Sequence, residues 1–279
     1  MFASQQSIAA VNPSGILAGQ SLHCKRLPRV RRYLPSQWEE EWYSIGQGVG
    51  VNDSLPCTNM KFVSYIEPLV GHFRHPRASH CLGKDNAKAA HIESRDYILL
   101  GSGLHPDDFY TTFPGRKLLF DFGSSSYDTS LKWLVDKYAE NGVEFDSIWA
   151  WELRTLDPSA YWAEVPAKIK PILHFYNVGI EGNTAHEEHP IHFIKQHVQP
   201  GDFVAVKLDI DHVEFEMAFL HEVSNSAQLR GLISEMMFEM HYSHKDMAPW
   251  FGWPDSTYQD VLRLFHSLRQ TGLRLHFWP

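Results

Sequence analysis

The stretch from Lys117 to Leu153, KLLFDFGSSSYDTSLKWLVDKYAENGVEFDSIWAWEL, limits what this chain can fold into more than any other. An apolar run, Leu118-Leu119-Phe120, passes through Asp121-Phe122-Gly123 into a string of small polar residues. A helical pattern follows, with Leu131, Leu134, Val135 and Tyr138 on one face, and then a second apolar run, Ile148 to Trp151, stops at Glu152. The order strand, tight turn, helix, strand, acid is the first half of a nucleotide-binding α/β unit. The turn brings main-chain N–H groups toward a ligand, and an acid at the tip of the second strand can accept both hydroxyls of a ribose. An ordinary βαβ core unit with no ligand reads the same way, so later segments have to decide between the two.

The later segments repeat the alternation. Leu173 to Val178 reads as a third strand and IHFIKQHV as a helix. Phe203 to Leu208 is nearly continuously apolar, as suits a strand buried on both faces of a parallel sheet. EFEMAFLHEV reads as a helix, LRGLISEMMFEMH as a strand with uncertain ends, STYQDVLRLFHSLRQTG as a helix closed by Gly272, and LRLHFWP as a last short strand. The expected fold is therefore α/β: a doubly wound, mostly parallel Rossmann-like sheet over 117–279.

Upstream, residues 1–35 are rich in Ser, Gln, Gly and Pro and then carry Lys25, Arg26, Arg29, Arg31 and Arg32; they read as a flexible arm. Residues 36–116 read as a helical and irregular cap, with helices around SQWEEEWYSI and NMKFVSYIEPLVGHFRHP and a strand-like run at Tyr97 to Leu100. The 279 residues, 43% of them hydrophobic, suffice for a substantial core. A net charge of −8, from 25 basic and 33 acidic residues, argues against a general nucleic-acid binder. No apolar run reaches the roughly 20 residues that span a bilayer, and no signal peptide is evident, so a soluble protein is expected, with the cytoplasm favoured over a secretory lumen. Cys24, Cys57 and Cys81 lie far from the nucleotide-like unit and read as reduced, inert thiols, with a Cys57–Cys81 bridge as the alternative.

In an open parallel sheet the ligand crevice lies beyond the carboxyl ends of the strands. The strands are expected to deliver Asp121, Gly123 and Ser124 to Ser126, then Glu152, then Asn177 and Gly179, then Asp209, Asp211 and His212, and last Glu235, Glu239 and His241.

With FDFGSSSYDTS, WAWEL, FYNVG, VKLDIDHVEFE and ISEMMFEMH in this order, the region from Lys117 to Pro279 resembles the FkbM-type family of S-adenosylmethionine-dependent methyltransferases, of the class I Rossmann-like fold. Lys207, Asp209, Asp211 and Glu214 carry the most specific part of the likeness, and EPLVGHFRHP with Cys81 is similar to the upstream region of eukaryotic, algal-like members. The resemblance implies S-adenosylmethionine as cofactor and a small-molecule or glycan-type acceptor, methylated on oxygen. It places Asp121, Gly123, Ser124 and Ser125 near the methionine end, Glu152 on the ribose, Asn177 to Gly179 beside the adenine, and Asp209 near the transferring methyl. Asp209, Asp211, His212 and His241 are the candidate catalytic residues, with His212 favoured as base for a hydroxyl acceptor because an imidazole titrates nearest neutrality. Three positions depart from the family pattern: Ser125 stands for a usual Asn, and Tyr127 and His212 for usual glycines. The Tyr127 side chain is expected to crowd the approach of a ligand to the loop.

Two other function classes stay open. Asp209-Ile210-Asp211 also reads as the DxD motif of metal-dependent glycosyltransferases, and the departures in the first loop also suit a binding protein on a catalytically silent methyltransferase fold. No metal set is assigned, although an ion held by Asp209 and Asp211 is compatible with methyl transfer. His186-Glu187-Glu188-His189 lacks zinc-site spacing and reads as an exposed polar loop. Trp250 and Trp253 lie in an aromatic loop, either a substrate lid or packed surface.

Overall fold

The structure, a computed structural model, describes residues 112–180, 182–183, 185–186, 189–243 and 255–279, with positions 95, 98, 100, 101, 109 and 110. The expected arm, the helices of the expected cap, the three cysteines and the Trp250–Trp253 loop lie outside the described residues.

Six strands form one sheet: β1 (Lys117–Phe122), β2 (Ser147–Trp151), β3 (Leu173–Tyr176), β4 (Phe203–Leu208), β5 (Glu235–Phe238) and β6 (Leu275–Phe277). Their spatial order is β3-β2-β1-β4-β5-β6, and every neighbouring pair is parallel. The chain thus winds outward from β1 to one edge, returns to β4 and winds to the other. The order reverses between β1 and β4, the position where an open parallel sheet places its ligand crevice. The sheet is wholly parallel where a mostly parallel one was expected.

Helices cover both faces: α1 (Lys132–Glu140), α2 (Pro158–Glu164), α3 (Pro190–His197), α4 (Val213–Asn225), α5 (Ala227–Leu232) and α6 (Tyr258–Gln270). Caps explain where several begin. Asp157 accepts from Ser159 N ahead of Pro158, and Thr257 with Asp260 forms a reciprocal capping box. Gly272, at φ 92°, follows α6.

The two-residue pleat of the strands sorts side chains into two cores. Leu118, Phe120, Phe122, Trp149, Trp151, Val204, Val206 and Leu208 face α3 to α6. On that face Phe120 stacks on Trp149 at 4.9 Å between centroids, and Trp149 on His174 at 5.4 Å. One turn of pleat farther, Trp151 stacks on Tyr176 at 5.1 Å. Leu119, Ile148, Ala150, Phe203, Ala205 and Met237 face α1, α2 and the segment carrying Ile98, Leu100 and Phe109. Ile98 and Leu100 are buried without forming a strand.

Sequence expectation and structure part in a few places. The run before β5 splits into helix α5 and a four-residue strand, so Glu235 opens β5 at its amino end, away from the crevice. There it is fully buried and accepts Gly101 N (2.8 Å), Arg274 Nε (2.7 Å), His276 Nε2 (2.7 Å) and Tyr138 Oη (2.6 Å). His189 is not exposed: it caps α3, accepting from Ile191 N through Nδ1, and stacks against Phe215 at 5.2 Å. His186 is exposed, and no zinc set forms around either among the described residues. No helix among the described residues is long and apolar enough to cross a membrane.

Candidate functional site

The same pleat that buries Leu119 and Ala205 carries a polar column to the crevice. Asp121 and Lys207 are register partners on neighbouring strands, and Asp209 follows Lys207 on the same side of β4. Lys207 Nζ lies 3.1 Å from Asp121 Oδ1 and 2.9 Å from Asp209 Oδ2, and donates to the carbonyl of Gly123 at 3.0 Å. Asp121 and Lys207 are fully buried. Burial opposes the lysine charge, but the two aspartates outweigh it and hold the ammonium firmly protonated. Asp121 is thus tied through Lys207 to Asp209 and to the carbonyl of Gly123.

Gly123 is fixed by the same crossing. Its φ is 94°, and a β-carbon there would stand 1.6 Å from the carbonyl oxygen of Asp209. Its N–H and that of Ser124 both donate to Trp151 O, at 3.1 and 2.8 Å. Two donors expected to face a ligand are thus spent on β2, which draws the loop against the tip of that strand. The next two N–H groups, of Ser125 and Ser126, have no protein acceptor among the described residues. Tyr127 then opens a kinked segment, Tyr127–Leu131, whose Thr129 has non-helical backbone angles, ahead of α1. Its ring does not crowd the loop as expected: it is 1% exposed and packs in the core facing α1 and α2.

Glu152 ends β2 directly beside this loop, on the face of Ile148 and Ala150. It is largely buried, and its Oε1 accepts from Arg154 N (2.7 Å) and Arg154 Nε (3.1 Å). Its Oε2 has no protein partner among the described residues. Asn177 shapes the loop that follows: its amide donates to Glu152 O (2.9 Å) and Arg154 O (2.6 Å) and accepts from Leu156 N (2.8 Å). Asn177 is therefore committed to holding that loop. Leu153 (77%) and Val178 (56%) are exposed large apolar residues on the loops that follow β2 and β3, and a β-carbon at Gly179 would meet Leu153 Cδ1 at 2.7 Å.

On the other side of Lys207, Asp209 accepts from Trp278 Nε1 at 3.2 Å and hydrogen-bonds Glu239. Burial raises the Asp209 carboxyl, but the Lys207 charge prevails and keeps it below the usual carboxylate range. Glu239 goes the other way: burial, with the neighbouring Asp209 charge adding to it against His241, pushes it up to about 8. Glu216, which accepts from Ile210 N at 3.0 Å, is pushed up to about 7 by burial. His241 Nε2 lies 3.2 Å from Glu239 Oε2 and 3.4 Å from Asp211 Oδ1.

The turn after β4 treats its two expected residues differently. Asp211 adopts φ 56°, the left-handed conformation, whereas His212 has φ −133° and needs no glycine. His212 is the cap of α4: its Nδ1 accepts from Phe215 N at 3.2 Å, so the lone pair expected to serve as a base is engaged. The structure thus brings Asp121, Gly123, Ser124, Glu152 and Asp209 together around β1 and gathers Asp211 with His241. Glu239 was expected only as one more polar group at a strand end. The signal for its place beside Lys207 and Asp209 is the alternation Glu235, Met237, Glu239, His241, which continues the pleat past the end of β5.

No family model, no curated protein and no solved structure matches the chain.

Proposed function

We propose that the protein is an S-adenosylmethionine-dependent methyltransferase, as its likeness to the FkbM-type family implies. The observation that carries this reading is the tip of β2: a largely buried glutamate with one oxygen unengaged among the described residues, pressed by two hydrogen bonds from Gly123 and Ser124 to Trp151 against a loop with two main-chain donors likewise unengaged among them. The loop leaves β1 at the reversal of strand order, where a parallel sheet opens to a ligand, and Glu152 follows the neighbouring strand β2. The residues fit the group: Glu152 Oε2 is an acceptor for ribose hydroxyls, Leu153 and Val178 offer apolar surface to an adenine, and Ser125 and Ser126 present N–H donors.

S-adenosylmethionine bound there, with its ribose held by Glu152, would supply an electrophilic methyl on a sulfonium to an acceptor oxygen or nitrogen. The protein's part is alignment and exclusion of water. Lys207 locks the carbonyl of Gly123 and the carboxylate of Asp209 to one point, fixing the loops on either side of the crevice relative to each other.

The glycosyltransferase reading finds less support. Asp209 turns to Lys207 and Trp278, whereas Asp211 turns to His241, so the two carboxylates of the DxD sequence do not converge. Thermal-shift titrations with S-adenosylmethionine, S-adenosylhomocysteine and a UDP-sugar with manganese test the proposal. It expects stabilisation by the first two. Stabilisation by the nucleotide sugar alone, or by none of them, overturns it.

A further inference from the structure

Asp211 Oδ1, Glu239 Oε2 and His241 Nε2 converge on one point at the carboxyl edge of the sheet: the three side chains each bring a ligand atom within 4.8 Å of the others. We propose that these three residues form a binding site for a divalent transition-metal ion.

The spacing carries the argument. Ligands about 2.1 Å from an ion lie about 3.0 Å apart along an octahedral edge and about 3.4 Å apart along a tetrahedral one. The imidazole nitrogen stands 3.2 Å from the Glu239 oxygen and 3.4 Å from the Asp211 oxygen, inside that range on both sides. A single Nε2 proton points at one carboxylate at a time, whereas an ion satisfies both.

The surroundings also hold the donors in place. Asp209, beside Glu239, is itself fixed by Trp278 Nε1 at 3.2 Å and Lys207 Nζ at 2.9 Å, so the carboxylate next to the proposed ligands has one position. One imidazole with two carboxylates suits Mn²⁺, Fe²⁺, Ni²⁺ or Zn²⁺ better than Ca²⁺, which prefers six or more oxygens. Three protein ligands leave positions open, as at metal sites that take a further oxygen ligand. With methyl transfer as the activity, on which this clause alone rests, that ligand is the acceptor hydroxyl.

The test uses the full chain stripped with a chelator. Mn²⁺ is titrated in, with the free-ion electron paramagnetic resonance signal as readout, and Zn²⁺ and Ca²⁺ are titrated by calorimetry. The proposal expects saturable binding of one Mn²⁺ or Zn²⁺ per chain and far weaker Ca²⁺ binding. Asp211→Asn and His241→Gln should each weaken it about tenfold or more. Asp211 has an exposed side chain, so its variant should keep the far-UV circular dichroism of the parent. Absence of saturable binding, or binding that neither variant weakens, overturns the site. A chain that takes up Mn²⁺ but no S-adenosylmethionine upholds the site and sinks the methyl-transfer reading, and the converse result separates the two equally well.

Discussion

A β-carbon placed on Gly123 would stand 1.6 Å from the carbonyl oxygen of Asp209, so the two loops that leave β1 and β4 cross at main-chain contact. Gly123 also sits at φ 94°, where a side chain is strained whatever the space. Gly123→Ala must push the Asp209 main chain away and with it the carboxylate that Lys207 holds. The expected loss is about 3 kcal/mol or more, among the large effects for one methyl group. Urea unfolding measures it, and a loss under about 1 kcal/mol would show that the two loops yield freely.

Lys207 is the second structural anchor of the crevice. Lys207→Met leaves Asp121, fully buried, without its counter-charge and should cost about 3 to 5 kcal/mol. Pairing it with Asp121→Leu removes the stranded charge, and the double variant should recover much of that loss. Unfolding curves of both variants decide this. A double variant no more stable than the single one would mean that Lys207 acts mainly through Asp209 and the Gly123 carbonyl.

Glu235 makes stability depend on pH at the opposite end of the sheet. Burial raises its carboxyl, but Arg274, His276 and Tyr138 together bring it down to about 2 from an ordinary 4.5. A carboxyl with a depressed folded-state pKa contributes stability that is full above the unfolded value and disappears as pH falls through the folded one. The window is therefore 4.5 down to 2, and the contribution is on the order of 3 kcal/mol. Glu235→Gln should flatten the fall in unfolding free energy across that window and lower stability at neutral pH, where Arg274 loses its ion pair with Glu235. An unchanged slope would contradict the assignment.

His212 is a cap in the structure, and capping has its own signature. His212→Ala should cost about 1 kcal/mol, whereas His212→Asn, which can accept the same bond from Phe215 N, should restore most of it. Equal losses in both variants would mean that the imidazole does something other than cap.

Much of this architecture is legible in the sequence because it rests on local chemistry. The continuous apolar run Phe203 to Leu208 is a strand buried on both faces, and Thr257 with Asp260 marks the start of α6. What escapes is set by contacts distant along the chain. The run LRGLISEMMF is equally apolar as helix or strand, and only pairing with β4 and β6 fixes β5 at Glu235. His189 looks like a loop residue because its burial comes from Phe215 and Phe219, far along the chain. Tyr127 looks like an obstacle to a ligand because the core that takes its ring is built from residues on either side of it. At the site, Glu152 and Asp209 can be read as strand ends, but the partnership of Asp209 with Glu239 needs the β4–β5 register.

The proposed function rests on Glu152 Oε2, unengaged among the described residues, as acceptor for the sugar of an adenosyl ligand. Isothermal titration of S-adenosylhomocysteine into the chain and its Glu152→Ala variant tests it most directly. The account predicts one saturable site in the parent and binding weakened about tenfold or more in the variant, since a lost hydrogen bond from ligand to carboxylate is worth about 1.5 to 3 kcal/mol. No heat of binding in the parent, or equal affinity in a folded Glu152→Ala chain, would contradict it.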